Sequence, residues 1–244
     1  MEAKEFDIFL KVCIFKEQTP YAMAFDYSCF ISYRHNENEK IFYTNLRNII
    51  QSEALTATNK SNSFFDENSI KYGEEWNDKI YIGVNGSYFF IPILHYNYLH
   101  IENNWCAREL MHALKVEEII RKKLPEEDRE KFFYIIPFIY RGKPDNLPKG
   151  LSNKKALALQ PFEYLIIKND VSQELINLKQ QLCDTLTECY KILDKYNIAG
   201  NFQQLFKKIP KPTDAEVNAW ILEQKNLSKQ KEAQQEPVLK KNGT

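Results

Sequence analysis

The sequence predicts an α/β fold in which a parallel sheet is covered by helices on both faces. Short, almost continuously apolar runs recur through the first two thirds of the chain, as expected for strands that are buried on both faces. Segments with helical spacing of apolar residues separate these runs, and strands that are joined by helices pair in parallel. With 244 residues, 43% of them hydrophobic, the chain is long enough to bury one sizeable core.

The predicted elements alternate from residue 27 to residue 162. Five apolar or aromatic runs predict strands, the last of them the weakest: residues 27–33, 63–66, 87–94, 131–140 and 156–162. Apolar residues at helical spacing predict three helices between them: residues 39–51, a segment from about residue 74, and residues 105 to about 123.

The pattern changes after the last strand, where one long helical stripe of apolar residues begins. It is formed by Val171, Leu175, Leu178, Leu182, Leu186, Cys189 and Leu193. We expect this helix to pack on the α/β domain, with a partner surface as the alternative. The segment TDAE at 213–216 has the pattern of a capping box and predicts a second helix with Trp220 and Leu222.

These observations divide the chain into four predicted parts. They are an N-terminal arm (1–24), an α/β domain (25–165), a C-terminal helical extension (166–228) and a polar tail that we expect to be disordered (229–244). The apolar run at 6–15 is too short to span a bilayer.

Charge and cysteine content exclude several classes of protein. Lys+Arg and Asp+Glu both number 33, so no overall field attracts nucleic acid or an anionic membrane. We therefore expect neither as a partner. The five cysteines form no CxxC pair, which is typical of reduced thiols and predicts a cytoplasmic protein.

Candidate site residues follow the predicted strands, because ligands of an open parallel sheet gather at the carboxyl ends of its strands. The first strand ends in SYRH, the second ends at an aspartate, and the third leads through a loop to a helix that begins with WCARE. The candidates are Ser32, Tyr33, Arg34, Asp66, Trp105 and Glu109.

Glu109 is the most informative of these candidates. It lies four residues after Trp105, so both face the same side of the predicted helix, whereas the packing stripe is formed by Cys106, Leu110, Ala113 and Ile120. The simpler interpretation makes Glu109 a solvated carboxylate near a helix N-terminus, Arg34 a salt-bridge partner and Asp66 a turn residue.

Other chemistry is poorly supported by the sequence. Neither GxGxxG nor GxxxxGK[ST] occurs, so a Rossmann or P-loop phosphate site is not predicted. Glu109 and His112 form an ExxH pair, but a di-iron bundle needs a second copy, and we predict no metal site. Cys106 falls on the packing stripe, which argues against a thiol nucleophile.

Taken together, the motifs resemble those of a TIR (Toll/interleukin-1 receptor) domain. FDYSCFISYRH resembles the first strand, FFDENSIKYGEEWNDKI resembles the second strand with the following BB loop, and SYFFIPILHYNYLHIENNWCAREL resembles the third strand with the WxxxE helix. The resemblance covers roughly residues 25–165. It implies a flavodoxin-like, five-stranded parallel sheet.

The resemblance also implies roles for the candidate residues. The family includes signalling adaptors and enzymes that cleave NAD⁺, in which the Glu of WxxxE is catalytic; that position is Glu109 here. Trp105 would line the nicotinamide-ribose site, Ser32, Tyr33 and Arg34 would contact the substrate from the first strand, and Asp66 would begin the BB loop. Many enzymatic relatives have a second Arg where this chain has His35.

We therefore expect a bacterial-type TIR enzyme similar to those of Thoeris antiphage systems. Such an enzyme makes an ADP-ribose-derived signal, linear or cyclic, that a separate effector reads. NAD⁺ is then the substrate, no cofactor is needed, and the BB loop, residues 66–75, mediates self-association. The alternatives are an enzyme that kills the cell by depleting NAD⁺, and a TIR adaptor without catalytic activity.

Overall fold

The computed structural model describes residues 25–34, 36–65, 76–142, 147–198 and 209–241. Within these ranges the chain forms a parallel sheet with the strand order β1-β2-β3-β4. The strands are β1 (Phe30–Ser32), β2 (Phe90–Leu94), β3 (Phe138–Ile139) and β4 (Leu157–Ala158). The predicted N-terminal arm and His35 lie outside the described residues, as does the BB loop with Asp66.

Helices connect and cover these strands. They are α1 (Lys40–Thr58), α2 (Trp76–Asn85), α3 (Trp105–Lys123), α4 (Glu126–Arg129), α5 (Glu163–Lys168), α6 (Gln173–Lys195) and α7 (Asp214–Lys241). Short 3-10 turns at Glu37–Glu39 and Gln160–Phe162 precede α1 and α5. The mixed α/β class and the parallel sheet are confirmed, and α3 has the predicted bounds.

One of the five predicted strands is reduced to a single bridge. Phe64, in the run SFFD, pairs in parallel with Phe30 on the side of β1 away from β2. The Phe64 amide donates to the carbonyl of Cys29 at 2.8 Å, and the Ile31 amide donates to the carbonyl of Phe64 at 3.0 Å. The described residues thus form four strands, with the second predicted strand present only as this bridge, and the five-stranded flavodoxin-like arrangement stays a prediction.

The sheet is the centre of the core, because every residue of β1, β2 and β3 is buried. Helix α6 packs its apolar stripe into the same core, which confirms our expectation that this helix covers the domain. Val171 is an exception. It precedes the helix and is 85% exposed, so it does not belong to the buried stripe.

Helix α7 begins with the predicted capping box. The Thr213 amide donates to the Glu216 carboxylate at 2.7 Å, and the Glu216 amide donates to the Thr213 hydroxyl at 3.3 Å. The helix continues to Lys241, although we expected the chain to be disordered from residue 229. The segment KQKEAQQ is polar, but it consists of residues with high helix propensity.

No helix among the described residues combines the length and the hydropathy that are needed to cross a lipid bilayer.

Candidate functional site

Two sequence-predicted residues, Ser32 and Glu109, meet at the carboxyl edge of the sheet. Ser32 is the last residue of β1, and its hydroxyl donates to Oε2 of Glu109 at 2.5 Å. Both side chains are buried, with Glu109 only 2% exposed. The simpler interpretation of Glu109 as a solvated helix residue is therefore wrong, because strand and helix enclose its carboxylate.

A third residue extends this contact into a chain of hydrogen bonds. The hydroxyl of Tyr98, which lies in the loop between β2 and α3, is 2.6 Å from the Ser32 hydroxyl. A serine hydroxyl has one proton, and Ser32 directs it to the carboxylate. With Glu109 ionised, Tyr98 must therefore donate to Ser32, and both hydroxyl dipoles then favour the negative charge of Glu109.

Local sequence explains why α3 can bring a carboxylate to this position. Cys106, Leu110 and Ala113 face the core and fix the rotation of the helix. Glu109 then lies beside this packing face, near the helix N-terminus, where the backbone dipoles favour negative charge. Helix packing therefore sets the position of Glu109, and the hydroxyls of Ser32 and Tyr98 provide its polar surroundings.

Trp105, the first residue of α3, is partly buried against the core, and its ring is in a cation–π contact with Arg108. The guanidinium of Arg108 is 5.3 Å from the centroid of the Trp105 ring. Arg108 also donates to the Pro212 carbonyl at 2.7 Å and pairs with the Asp214 carboxylate at the start of α7. The WxxxE helix is thereby tied directly to the C-terminal extension.

Tyr33 and Arg34 follow Ser32 and lie on the rim of the same edge. The ring of Tyr33 stacks on Tyr43 of α1 with centroids 4.8 Å apart. Arg34 donates from one guanidinium nitrogen to the Asn97 carbonyl at 2.9 Å. Arg34 and Tyr43 both line a cleft of about 130 Å³, which also includes His95.

His95 is the histidine that lines this cleft. Burial is the main factor that lowers the pKa of His95, and the positive charges of Arg141 and Arg34 lower it further, against the opposing effect of Glu39. The His95 imidazole is therefore more readily neutral than a solvated one.

His112, the partner of Glu109 in the ExxH pair, is a buried packing residue. Its Nε2 is 2.8 Å from the Asn85 side-chain oxygen, and its ring lies edge-on to Tyr81. Burial lowers the pKa of His112 to about 4, with smaller effects from Lys115 and Lys211. In the described part of the chain, no three His, Cys, Asp or Glu side chains are grouped so that they could hold a metal ion.

The structure thus joins Ser32 directly to Glu109 and places Tyr33 and Arg34 on the rim beyond them. It places the Trp105 ring against Arg108. The role of Asp66 stays a prediction, since this residue lies outside the described ranges.

Sequence reasoning missed three residues of this edge: Tyr98, Asn97 and Arg108. Tyr98 and Asn97 lie in the loop HYNYLH, directly after the third predicted strand, so the rule that identified Ser32 also applies to them. Arg108 lies within WCARE, but its partners are in and just before α7, more than 100 residues later, and no local pattern shows that contact.

Comparisons with known proteins support the motif-based assignment. The TIR domain family model matches residues 26–124. Among solved structures, the TIR domains of the activated Roq1 resistosome, which directly recognizes the pathogen effector XopQ, match with 21% sequence identity. The match covers 75% of this chain and 96% of that one, with a TM-score of 0.32.

No curated protein matches the chain. The family-model match spans β1, the Phe64 bridge, β2 and α3, and it thus includes the two elements, β1 and α3, that bear Ser32 and Glu109. Residues 26–124 of the chain therefore match the TIR domain family.

Proposed function

We propose that this protein cleaves the nicotinamide–ribose bond of NAD⁺ and that Glu109 is the catalytic carboxylate. The observation that carries the proposal is the buried Glu109 side chain, which accepts a hydrogen bond from Ser32 at the carboxyl edge of the sheet. A carboxylate at this position of the WxxxE motif matches the family's enzymatic members, and ligands of parallel sheets bind at this edge.

A single carboxylate is sufficient to assist this reaction. When the bond between the ribose carbon and the pyridinium nitrogen breaks, the electron pair leaves with nicotinamide, which becomes neutral and needs no proton. Positive charge develops on the ribose, and the negative charge of Glu109 stabilises it. Water then adds to the ribose carbon and loses a proton, so the products are nicotinamide, ADP-ribose and a proton.

Residues on the rim are assigned to substrate binding. Arg34 uses one guanidinium nitrogen for the Asn97 carbonyl, and a guanidinium has further donors for a pyrophosphate group. The Trp105 ring provides a flat surface beside the start of α3 for the nicotinamide or the ribose. We also assign Tyr33, Ser32 and Asp66 to this site by the TIR motif pattern.

Access to Glu109 sets a requirement on the mechanism. Because the residue is only 2% exposed, the groups that cover it must move before a substrate reaches the carboxylate. TIR enzymes commonly act as assemblies in which the BB loop of one protomer completes the site of a neighbour. We therefore propose that self-association through residues 66–75 opens and completes the site.

The proposed assembly has a direct test. Activity per chain should rise with protein concentration, because the competent site requires two protomers. A mixture of Glu109→Ala protein with protein that is altered in residues 66–75 should regain part of the activity that each lacks alone. A mixture without any activity would contradict a shared site.

A non-enzymatic TIR adaptor is the second candidate, and the burial of Glu109 favours it. A carboxylate that is closed off and hydrogen-bonded to Ser32 could serve only to join β1 to α3. Under this hypothesis the protein binds TIR partners and leaves NAD⁺ intact at every concentration.

The deciding experiment measures nicotinamide release from NAD⁺ by the purified protein at high concentration. Glu109→Ala should abolish turnover while the protein stays folded. The matched control is Glu118→Ala, since Glu118 lies on the same helix, 63% exposed, with Lys122 as its ion-pair partner. Turnover that survives in Glu109→Ala would refute the assignment, and an inactive assembled wild type would support the adaptor.

The nucleotide product defines the biological role that we propose. An ADP-ribose-derived signal, linear or cyclic, would act through a separate effector in antiphage defence. Stoichiometric ADP-ribose with loss of cellular NAD⁺ would instead indicate killing by depletion. Mass spectrometry of the product, together with NAD⁺ measurement in infected cells, distinguishes the two.

A further inference from the structure

A second cavity lies at the carboxyl edge of the sheet, between β2, β3 and the C-terminal helix α7. Its volume is about 360 Å³, within the range of small-molecule sites. Leu94 and Ile139, the last residues of β2 and β3, form its floor, and α7 contributes one wall from Gln224 to Lys229. Tyr98, which bonds Ser32, is shared with the candidate site, but Ser32, Arg34 and Glu109 do not line the cavity, so it adjoins the proposed NAD⁺ site and is distinct from it.

Gln224 lines this cavity and is a buried polar residue. Its side chain is only 4% exposed, and its Oε1 accepts a hydrogen bond from the Lys149 amide at 2.7 Å. This contact fixes the orientation of the amide, so Nε2 is the remaining donor. Nε2 has no hydrogen-bond partner within the described part of the chain. A buried donor without a partner is costly, and a ligand acceptor would remove that cost.

The cavity is also positively charged. Arg141, Lys225 and Lys229 line it, and no acidic residue occurs among the described residues that do so. Arg141 is held in place by Glu39 at 3.2 Å and Glu163 at 2.7 Å, which offset its charge. The two lysines therefore supply the net charge. They are four residues apart on α7 and so point to the same side of the helix.

The remaining walls are apolar or aromatic. Leu99, Leu147 and Pro148 add apolar surface to that of the strand ends. The ring of Tyr96, which also lines the cavity, is 72% exposed and tilted against His95 with centroids 3.8 Å apart. An exposed aromatic ring next to cations provides a stacking surface for a flat heterocycle.

We propose that this cavity binds a nucleotide. The base stacks on Tyr96 and accepts a hydrogen bond from Gln224 Nε2, and the phosphate pairs with Lys225 and Lys229. The apolar walls exclude water from the base and ribose. An amide donor, an aromatic ring and two lysines around one cavity select a molecule with a flat hydrogen-bonding end and an anionic end.

The test is isothermal titration of the full-length protein with AMP, with adenosine and inorganic phosphate in separate titrations. AMP should bind at least about 10-fold more tightly than either part, because it engages both ends of the cavity. If AMP does not bind at about 1 mM, the proposal is wrong. If phosphate alone binds as tightly as AMP, the lysines attract anions without a built site, and the proposal also fails.

Variants locate the ligand. Gln224→Glu keeps the acceptor for the Lys149 amide but removes the donor, and it should weaken AMP binding about 10-fold or more. Lys225→Gln should weaken AMP binding several-fold and reduce its salt dependence. The matched control is Lys149→Gln, an exposed lysine of the same region that does not line the cavity, and it should leave binding unchanged.

Two results would overturn the location. In one, AMP binds Gln224→Glu and Lys225→Gln as tightly as the wild type. In the other, AMP binding is lost in Glu109→Ala while both cavity variants retain it, which would place the ligand at Glu109. Either result leaves the proposed NAD⁺ cleavage untouched, because nicotinamide release is measured separately.

Discussion

Replacing Ser32 with alanine tests whether Glu109 is a buried, ionised acceptor. The substitution removes a hydroxyl that donates to the carboxylate at 2.5 Å, in a place where both residues are buried. Hydrogen bonds to charged groups contribute about 1.5–3 kcal/mol to stability, against about 1 kcal/mol for neutral pairs. We expect Ser32→Ala to lower the free energy of unfolding by about 1.5–3 kcal/mol at neutral pH.

Ser32→Ala should lower the free energy of unfolding by less once the charge of Glu109 has been removed. In the Glu109→Gln background the acceptor is neutral, so Ser32→Ala should cost only about 1 kcal/mol, which leaves a coupling of about 1 kcal/mol between the two sites. Urea unfolding followed by circular dichroism measures these differences. With a slope of about 2–3 kcal/mol per molar urea, the larger loss lowers the midpoint by roughly 0.5–1.5 M.

Ser87→Ala is the matched control for this cycle. Ser87 is fully buried like Ser32, but its hydroxyl donates to the neutral carbonyl of Gly83 at 2.7 Å. Its loss should cost about 1 kcal/mol in either background. Our account of the site fails if Ser32→Ala costs no more than Ser87→Ala and costs the same in the wild type as in the Glu109→Gln background. Glu109 would then carry no buried charge.

Three further predictions concern the scaffold around the site. Gly83→Ala should destabilise the protein by about 1–3 kcal/mol in urea unfolding, because an added Cβ would lie 2.6 Å from the buried ring of Phe64; an unchanged midpoint would contradict this packing. His112 has a pKa of about 4, below its usual 6.5, so the unfolded state binds more protons and stability is lost as the pH falls from 6.5 to 4. The loss should reach about 3 kcal/mol, and His112→Gln should flatten the unfolding profile in that window; an equally steep profile would refute the assignment. Lys154→Met should cost about 3–5 kcal/mol, since it leaves Glu117 buried without the cation now 2.6 Å away, and adding Glu117→Gln should recover much of that loss in thermal unfolding.

Local patterns were sufficient to predict the elements that carry the site. The stripe of Cys106, Leu110, Ala113 and Ile120 predicted the packing face of α3, and all four residues are buried. The packing face of α6 could be predicted in the same way, because its leucines recur at helical spacing and pack into one continuous core. The capping box at Thr213 is a local hydrogen-bond pattern, and the start of α7 follows from it.

The residues that surround Glu109 could not be predicted from local sequence patterns. Its spacing placed it outside the packing stripe, which is equally compatible with solvent and with a buried polar site. Ser32 is 77 residues away in sequence, and only the assembled sheet brings its hydroxyl to the carboxylate. The same limit applies to Arg108, whose partners lie at the start of α7 and just before it.

The length of the second predicted strand could also not be predicted from the local sequence. SFFD has the composition of a strand, but only Phe64 among its described residues forms a bridge with β1. Its ring stacks on Phe30 with centroids 5.0 Å apart and lies against Gly83 of α2. Side-chain packing between sheet and helix therefore holds this segment, and composition alone does not reveal how many residues join the ladder.

We propose that the negative charge of Glu109 drives cleavage of NAD⁺, and the substitution Glu109→Gln removes only that charge. The amide oxygen of glutamine can still accept the hydrogen bond from Ser32, so the fold should be preserved while the charge is lost. Initial rates of nicotinamide release should fall at least about 100-fold in this variant, which corresponds to about 2.7 kcal/mol of lost transition-state stabilisation. Release by Glu109→Gln at a rate close to that of the wild type would contradict the account.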